Sequence, residues 1–426
     1  MATAASTLVL PTREATGSKP SRSLAPIAPE ERIHALDLLR GWALFGVLWS
    51  NLNDWYGTAD PVTGLDRALS WTQNYLIESR FYSLLIILFG IGFGIQLMRA
   101  DERGIDVRNT YYRRSAALLA IGIVHGSLIW GGDILTIYAL VSFALVMFRT
   151  ASNRQLVTAA ILLHFLGSPV VWDAMYLAGL RFMVQTAPLD FLFPHGSWME
   201  VERARLAQYL GWLGRWGLRS YPTILASFII GLWAVKSGYL RRIVENPAST
   251  RRLLFVAIFA AGVGYASWVY ADVLWPIAQP PSGFQPRFPF PYFQLFVLRR
   301  AVLTVFDWAT VGSAIAYACV LLLLSQRPRA ARFLRPLAAA GRMGLTTYLT
   351  QSVVCTLLFY SYGLGWFGNV GFTGMLVITL VIYACQMAAS VWWLKRFRFG
   401  PAEWLWRTLT YGNVPMRVVE TAPAPS

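Results

Sequence analysis

Residues 80–99 read RFYSLLIILFGIGFGIQLMR, with no Asp, Glu, Lys or Arg between Arg80 and Arg99. A run of about 20 apolar residues, wound as a helix at about 1.5 Å per residue, matches the hydrocarbon thickness of a bilayer. Lipid offers no partner to backbone N–H and C=O groups, so such a run must satisfy them internally, which a helix does. The same signature recurs in both directions from this stretch. Apolar segments at 38–56, 80–99, 115–131, 133–149, 155–179, 221–237, 253–275, 301–325, 342–361 and 373–394 predict about ten transmembrane helices. The expected fold class is therefore all-α: a polytopic integral membrane helical bundle.

Composition points the same way. Of 426 residues, 56% are hydrophobic and 14% charged, where a soluble domain carries roughly 25% charged residues. Lys and Arg number 37 against 21 Asp and Glu, a net charge of +16. In a soluble chain that excess would point to nucleic acid; here it sits in short loops between apolar runs, so no nucleic-acid partner is expected. With about ten crossings, the clusters Arg99–Arg114, Lys236–Arg252, Arg327–Arg342 and Lys395–Arg407 fall on one side together with the N-terminal segment. The positive-inside rule makes that side, and both termini, cytoplasmic.

The domain plan follows. Residues 1–30 are rich in Ser, Thr, Ala and Pro without a signal-peptide core, and read as a disordered cytoplasmic tail; 31–412 form one transmembrane domain, and 413–426 a second tail. Two outer loops are long. Loop 180–220 holds an amphipathic stretch, Trp198 to Trp216, expected to lie in the interface or to cap the bundle. Loop 276–300 is rich in Pro and aromatic residues, and 400–412 is expected to form a C-terminal helix in the cytoplasmic interface, with Pro401 at its start and Glu403 and Arg407 paired at i,i+4. Cys319, Cys355 and Cys385 lie in apolar runs without metal or disulfide spacing, so they read as core residues, and no metal site is expected.

Charged and imidazole side chains inside spans are costly and mark either structural pairing or function. Span 3 and its turn read GIVHGSLIWGGDILTIYAL (122–140), placing His125 between Gly122 and Gly126, with Asp133 after a Gly-Gly turn. Small residues at i and i+4 admit a neighbouring helix, and Gly90 and Gly94 of span 2 offer a matching surface. His125 is either a proton-transfer group oriented by Asp133, or a packing residue beside a helix cap. Asn51, Glu78, Arg80 and Trp130 are candidates for an outer vestibule around the same point. Asp37 and Arg40 are either a local ion pair or the edge of an anion site. Arg342 and Arg407 could likewise hold an anionic cytoplasmic ligand or a lipid headgroup. His164 reads as an interhelical hydrogen bonder, Asp307 as an ion-pair partner of Arg300 or of another span, and Thr347, Thr350 and Gln351 as a stripe that joins helices or lines a passage.

Taken jointly, RIHALDLLRGWALFGVLWSN (32–51), ESRFYSLLIILFGIGFGIQL (78–97), the 122–140 segment, GRMGLTTYLTQS (341–352) and FRFGPAEWLWRTLTY (397–411) resemble the YeiB-like family of bacterial inner-membrane proteins, defined by domain of unknown function 418. That resemblance implies a multi-pass protein of the bacterial inner (plasma) membrane. More distantly, the LDLLRG opening is similar to that of the transmembrane acyltransferases, including heparan glucosaminide acetyltransferases and sugar O-acyltransferases. These use a cytoplasmic acyl donor and typically a His base.

The expectation drawn is an acyltransferase with no tightly bound cofactor and acyl-coenzyme A as co-substrate, acting on an envelope glycan, lipid or small molecule. His125 would be the base, Asp133 its orienting partner, and Arg40, Arg113, Arg114, Arg342 and Arg407 the donor-binding cations. The rival readings are an exporter of a small or amphipathic solute, and a membrane scaffold. An enzyme requires a cavity that joins the cytoplasmic arginines to His125.

Overall fold

The computed structural model describes residues 33–56, 63–167, 171, 189–278 and 290–417. Among them the regular elements are helices, with one isolated antiparallel bridge between Phe397 and Arg417. In chain order they are α1 (His34–Tyr56), α2 (Gly64–Thr72), α3 (Arg80–Glu102), α4 (Arg108–Leu128), α5 (Leu135–Leu145), α6 (Asn153–Leu162), α7 (Leu189–His195) and α8 (Trp198–Trp212). Then follow α9 (Leu218–Lys236), α10 (Tyr239–Glu245), α11 (Pro247–Ala278), α12 (Phe290–Ser325), α13 (Pro328–Phe333), α14 (Arg335–Arg342), α15 (Gly344–Phe359), α16 (Phe372–Leu394) and α17 (Pro401–Tyr411).

Within the described residues each apolar stretch coincides with helix, so the all-α reading holds. The count of membrane crossings is smaller by length and apolarity. Four segments qualify, Gly64–Glu102, Pro247–Tyr270, Asp307–Ser325 and Phe372–Leu394, and a fifth if α9 and α10, bent by 72°, are one span. The others fall short for identifiable reasons. α1 carries Asp37, Arg40, Asn51 and Asp54, and α4 carries Arg108, Arg113, Arg114 and His125. The apolar helices Leu135–Phe148 and Gly344–Phe359 are short, and the span expected over 155–179 runs beyond Gly167 into residues outside the described ones, Val171 excepted. The tail 1–30, residues 279–289 of the second outer loop and the end of the C-terminal tail also lie outside them.

The core forms where α1, α3, α4, α5, α9, α14 and α15 converge on buried Leu44, Leu48, Phe81, Leu84, Phe93, Leu135 and Phe228. Close helix crossings need glycine. A Cβ at Gly341 would strike the backbone of Asp37 and Gly41, which lets α14 lie directly on α1, and Tyr383 of α16 donates to the Gly41 carbonyl at the same crossing. The Gly90 and Gly94 surface of α3 meets Phe228 and Val235 of α9, not α4 as the sequence pattern indicated. Helix α4 has its own partners: Gly122 faces Thr136 of α5 and Gly126 lies under the Tyr209 ring of α8.

Polar residues join the rest. Gln386 of α16 donates to the Thr347 carbonyl at 3.0 Å and to Thr350 Oγ1 at 2.8 Å, and accepts from Gln351 Nε2 at 3.1 Å, so the expected polar stripe glues α15 to α16. His164 approaches Asp307 across α12 at 4.0 Å. Cys319 and Cys355 are buried as expected; Cys385 is exposed on α16.

Candidate active site

The chain reverses between α4 and α5 in a way that returns Asp133 to His125. The His125 carbonyl accepts the N–H groups of Ile129 and Trp130, both at 2.9 Å, which ends α4 one turn past the imidazole. Gly131 and Gly132 then let the chain turn beneath α8: a Cβ at Gly131 would come within 2.8 Å of Gln208 Oε1 and 3.1 Å of the Arg205 carbonyl. Asp133 follows, and its two oxygens divide their work. Oδ1 lies 2.8 Å from His125 Nδ1, while Oδ2 accepts from the Thr136 N–H and hydroxyl, each at 2.8 Å. Both sequence readings of Asp133 are thus realised in one carboxylate, as a cap for the first turn of α5 and as the partner of the imidazole.

His125 and Asp133 are 1% and 0% exposed. The carboxylate accepts from the Nδ1 proton, so the neutral ring carries its lone pair on Nε2. Nε2 is buried without a hydrogen-bond partner, and buried polar atoms are rarely left so. This is the tautomer of a general base. The shell is aromatic and hydroxylated: Tyr348 has its ring centroid 5.2 Å from the imidazole, Trp130 6.4 Å, and Tyr209 OH bonds Thr136 Oγ1 at 2.8 Å.

Helix α8 covers the pair from the side away from α17. It opens with a Ser197–Glu200 capping box, seats Tyr209 over Gly126, and places Arg205, ion-paired to Glu202, on the Ile129 carbonyl at 3.1 Å. The amphipathic segment therefore caps the bundle, with Trp198, Met199 and Leu210 on its exposed apolar face.

On the other side of Tyr348 lies a cavity of about 190 Å³. Tyr348, Ile134 and Leu135 line it beside the His–Asp pair; Leu44, Leu85, Leu88 and Phe89 form its apolar middle; Arg40, Arg114, Arg342 and Arg407 line it toward α17. Four guanidinium groups thus stand against two carboxylates, Asp37 and Glu403.

Each cation is held in place. Arg40 pairs with Asp37 at 3.0 Å, Arg342 donates to the Arg398 carbonyl at 3.0 Å, and Arg407 stacks on Phe399 at 4.4 Å. Arg114 stacks on Trp406 at 3.8 Å, and the Trp406 indole donates back to the Arg114 carbonyl at 2.9 Å. Gly92 leaves room opposite Arg40, whose Nη2 would sit 3.9 Å from a Cβ there.

Glu403, expected to pair with Arg407, is taken up by the start of α15. It accepts from Leu345 N at 2.5 Å, Thr346 N at 3.1 Å and Thr346 Oγ1 at 2.6 Å. Burial holds its carboxyl above the usual range, against hydrogen bonds from Thr346 and Leu345 that pull the other way.

The expected site is therefore gathered in part. His125, Asp133 and Trp130 lie together, and Arg40, Arg114, Arg342 and Arg407 share a cavity whose wall includes Tyr348, the ring neighbour of His125. Arg113 does not: it is exposed and donates to the Leu409 carbonyl at 3.4 Å, because it lies one residue, about 100° of helix, away from Arg114.

Of the outer-vestibule candidates, Trp130 lies beside His125, while the other three have partners of their own. Asn51 bonds Tyr82, Arg80 is buried against Tyr265 OH at 3.1 Å and the Asn74 and Glu78 carbonyls, and Glu78 is exposed at the α3 boundary. Tyr348, Tyr209 and Thr136 were not singled out from the sequence. Thr136 was legible, three residues after Asp133 at the spacing of a helix cap. Tyr348 gave no signal, lying on a different face from the Thr347–Gln351 stripe.

Comparison with known proteins places the chain. It is 31% identical over 417 residues to the uncharacterized protein YxaH of Bacillus subtilis (strain 168), covering 91% of this chain and 96% of that one. The chain belongs to the YeiB-like DUF418 family. The family model described as "Protein of unknown function (DUF418)" matches residues 234–413, the part that supplies Arg342, Tyr348, Glu403 and Arg407. An uncharacterized 39.9 kDa protein in the amylase 3′ region of Bacillus acidopullulyticus is 28% identical over 398 residues, covering 91% of this chain and 96% of its own. The uncharacterized protein YeiB of Escherichia coli (strain K12) is 28% identical over 416 residues, covering 89% and 96%.

Proposed function

We propose that this YeiB-like protein is a membrane-embedded acyltransferase that moves an acyl group from a phosphorylated thioester donor of the acyl-coenzyme A type to a hydroxyl or amine of an envelope glycan, lipid or small molecule. One observation carries this reading: Tyr348 lines the cavity that also holds four guanidinium groups, and its ring packs on a buried His–Asp pair in its base tautomer. Arg114 and His125 lie on one helix, roughly 16 Å apart along its axis at about 1.5 Å per residue. Arg114 lines the cavity, and so does Tyr348, whose ring centroid lies 5.2 Å from that of His125; His125 itself stands behind that ring. The cavity's volume is below the roughly 300–1,000 Å³ of a pocket that swallows a whole ligand, so it suits a narrow, apolar donor arm with the phosphates held by arginines at its mouth.

The chemistry follows from the groups present. His125 Nε2 takes the acceptor proton while Asp133 stabilises the imidazolium that forms, and the acceptor attacks the thioester carbon. The membrane frame proposed with it has all ten apolar stretches crossing the inner membrane and both termini cytoplasmic, so that the arginines face the donor pool. The short and polar segments then cross as part of the bundle, where buried polar groups find protein partners.

The test is coenzyme A binding and thiol release from acetyl-coenzyme A by detergent-purified protein, wild type beside His125→Ala. Binding by both with thiol release lost in the variant is expected. Absence of binding by the wild type at millimolar donor would overturn the reading and leave an exporter or scaffold.

A further inference from the structure

We infer that the Tyr348 hydroxyl is a catalytic hydrogen-bond donor, holding the carbonyl oxygen of the acyl group as negative charge develops on it. This rests on the acyltransfer reading and adds a second reacting group to it.

Three observations place it. Tyr348 lines the cavity proposed for the donor, and its ring centroid lies 5.2 Å from that of His125, so it separates the cavity from the imidazole. Its hydroxyl oxygen accepts from the Ile134 N–H at 3.3 Å, and among the described residues no acceptor takes its own proton. At 2% exposure that is unusual, since a buried tyrosine hydroxyl normally directs its proton to a partner. Thus at one point of the molecule a buried acceptor, His125 Nε2, and a buried donor, Tyr348 O–H, both lack a protein partner. A reacting acceptor hydroxyl and thioester carbonyl supply the two complementary groups.

The step balances. The acceptor O–H or N–H proton passes to His125 Nε2 as the acceptor atom bonds the thioester carbon. The C=O π pair moves to oxygen, and that oxyanion accepts from Tyr348 O–H. Collapse re-forms C=O, breaks the C–S bond and releases the thiolate, which takes the proton from the imidazolium. No oxidant or reductant is needed.

The experiment uses acetyl-coenzyme A labelled with ¹³C at the carbonyl, on full-length protein, wild type beside Tyr348→Phe and His125→Ala. Infrared spectra of the wild-type complex should show the bound carbonyl stretch lowered from its position in solution, and Y348F should return it. Thiol release by Y348F should fall by about 10²–10³, with coenzyme A affinity and thermal unfolding unchanged. Y348F that keeps turnover while H125A loses it overturns the role of Tyr348 and leaves the acyltransfer reading standing. A wild-type complex whose carbonyl stretch is unshifted overturns it too, whether or not Y348F folds. A wild type that binds no donor overturns both.

Discussion

Asp133→Asn is the sharpest perturbation the site allows, because it keeps shape and changes chemistry. Asp133 Oδ1 faces His125 Nδ1, and Oδ2 accepts two hydrogen bonds from Thr136. An asparagine can keep its carbonyl oxygen toward Thr136, which the backbone N–H there requires, and so turns its NH₂ to His125. That amide donates and cannot accept, so Nδ1 must give up its proton and Nε2 must carry it. The base is lost although no atom has moved. The number of hydrogen bonds is retained, while the charge assistance of bonds roughly twice as strong as neutral ones is not, so the fold should lose only about 1–2 kcal/mol. Turnover should fall far more. Wrong-tautomer substitution in a Ser-His-Asp triad costs about 10⁴, equivalent to about 5–6 kcal/mol at 1.36 kcal/mol per decade. The assay is thiol release from acetyl-coenzyme A alongside thermal unfolding, with the double variant H125A/D133N. Non-additivity is expected, the double being no slower than H125A alone. D133N within about tenfold of wild-type turnover would refute the reasoning and reduce Asp133 to a cap for α5.

Further outcomes follow from the same geometry. Gly341→Ala places a Cβ against the backbone of α1, which cannot yield as a side chain can, and should destabilise by about 1–3 kcal/mol or more in thermal unfolding. Gly92→Ala, whose nearest neighbour is Arg40 Nη2 at 3.9 Å, should leave unfolding unchanged and weaken coenzyme A binding by filling the cavity. Arg114→Gln and Arg342→Gln should each raise the coenzyme A Kd about tenfold or more, a charge-assisted hydrogen bond contributing about 1.5–3 kcal/mol, whereas Arg113→Gln should not. Glu403 has a folded-state pKa raised above its ordinary value by burial, so the folded chain binds more protons than the unfolded one between those two values. Stability should therefore decrease as pH rises from about 4.5 through the folded value, and Glu403→Gln should flatten that slope in unfolding followed across pH.

The helical fold was legible because lipid leaves few alternatives: where they are described, the apolar runs are helical. Crossing number was less legible, since α1 and α4 carry the very charges that build the cavity and so depress the apolarity by which a span is recognised. Within the site, His125 and Asp133 could be found because each is expensive to bury and a Gly-Gly turn at fixed spacing brings them together. Arg40, Arg114, Arg342 and Arg407 were readable as cations of one expected side of the bundle. Their convergence was not, because α1, α4, α14 and α17 meet through tertiary packing. Arg113 and Arg114 were equivalent in sequence and differ only in helical phase. The pairing of Gly90 and Gly94 with α9 was equally hidden, since a small-residue surface states that a helix will come and not which one.

The arrangement also accounts for how such a site could hold a reactive thioester without wasting it. On the proposed function, the cavity on the α17 side is apolar between its arginines and Tyr348, lined there by Leu44, Leu85, Leu88 and Phe89, so a donor's phosphates would stay with the arginines while its uncharged arm extends toward Tyr348. From the opposite side α8 closes the imidazole, with Tyr209 seated over Gly126 and Arg205 fixed on the Ile129 carbonyl. His125, at 1% exposure, therefore meets bulk water from neither direction. On the proposed function, restricting water makes hydrolysis of the donor slow without abolishing it, and strengthens the His–Asp interaction in a low-dielectric setting. If the protein transfers the acyl group to an envelope acceptor as proposed, α8 has to move, so its docking residues should govern thiol release without an acceptor. Tyr209→Ala removes the ring over Gly126 and the hydroxyl on Thr136 together, and should raise hydrolysis of acetyl-coenzyme A while leaving its affinity unchanged. Unchanged hydrolysis in a folded Y209A variant would mean that water already has access, and that α8 braces the turn without gating the base.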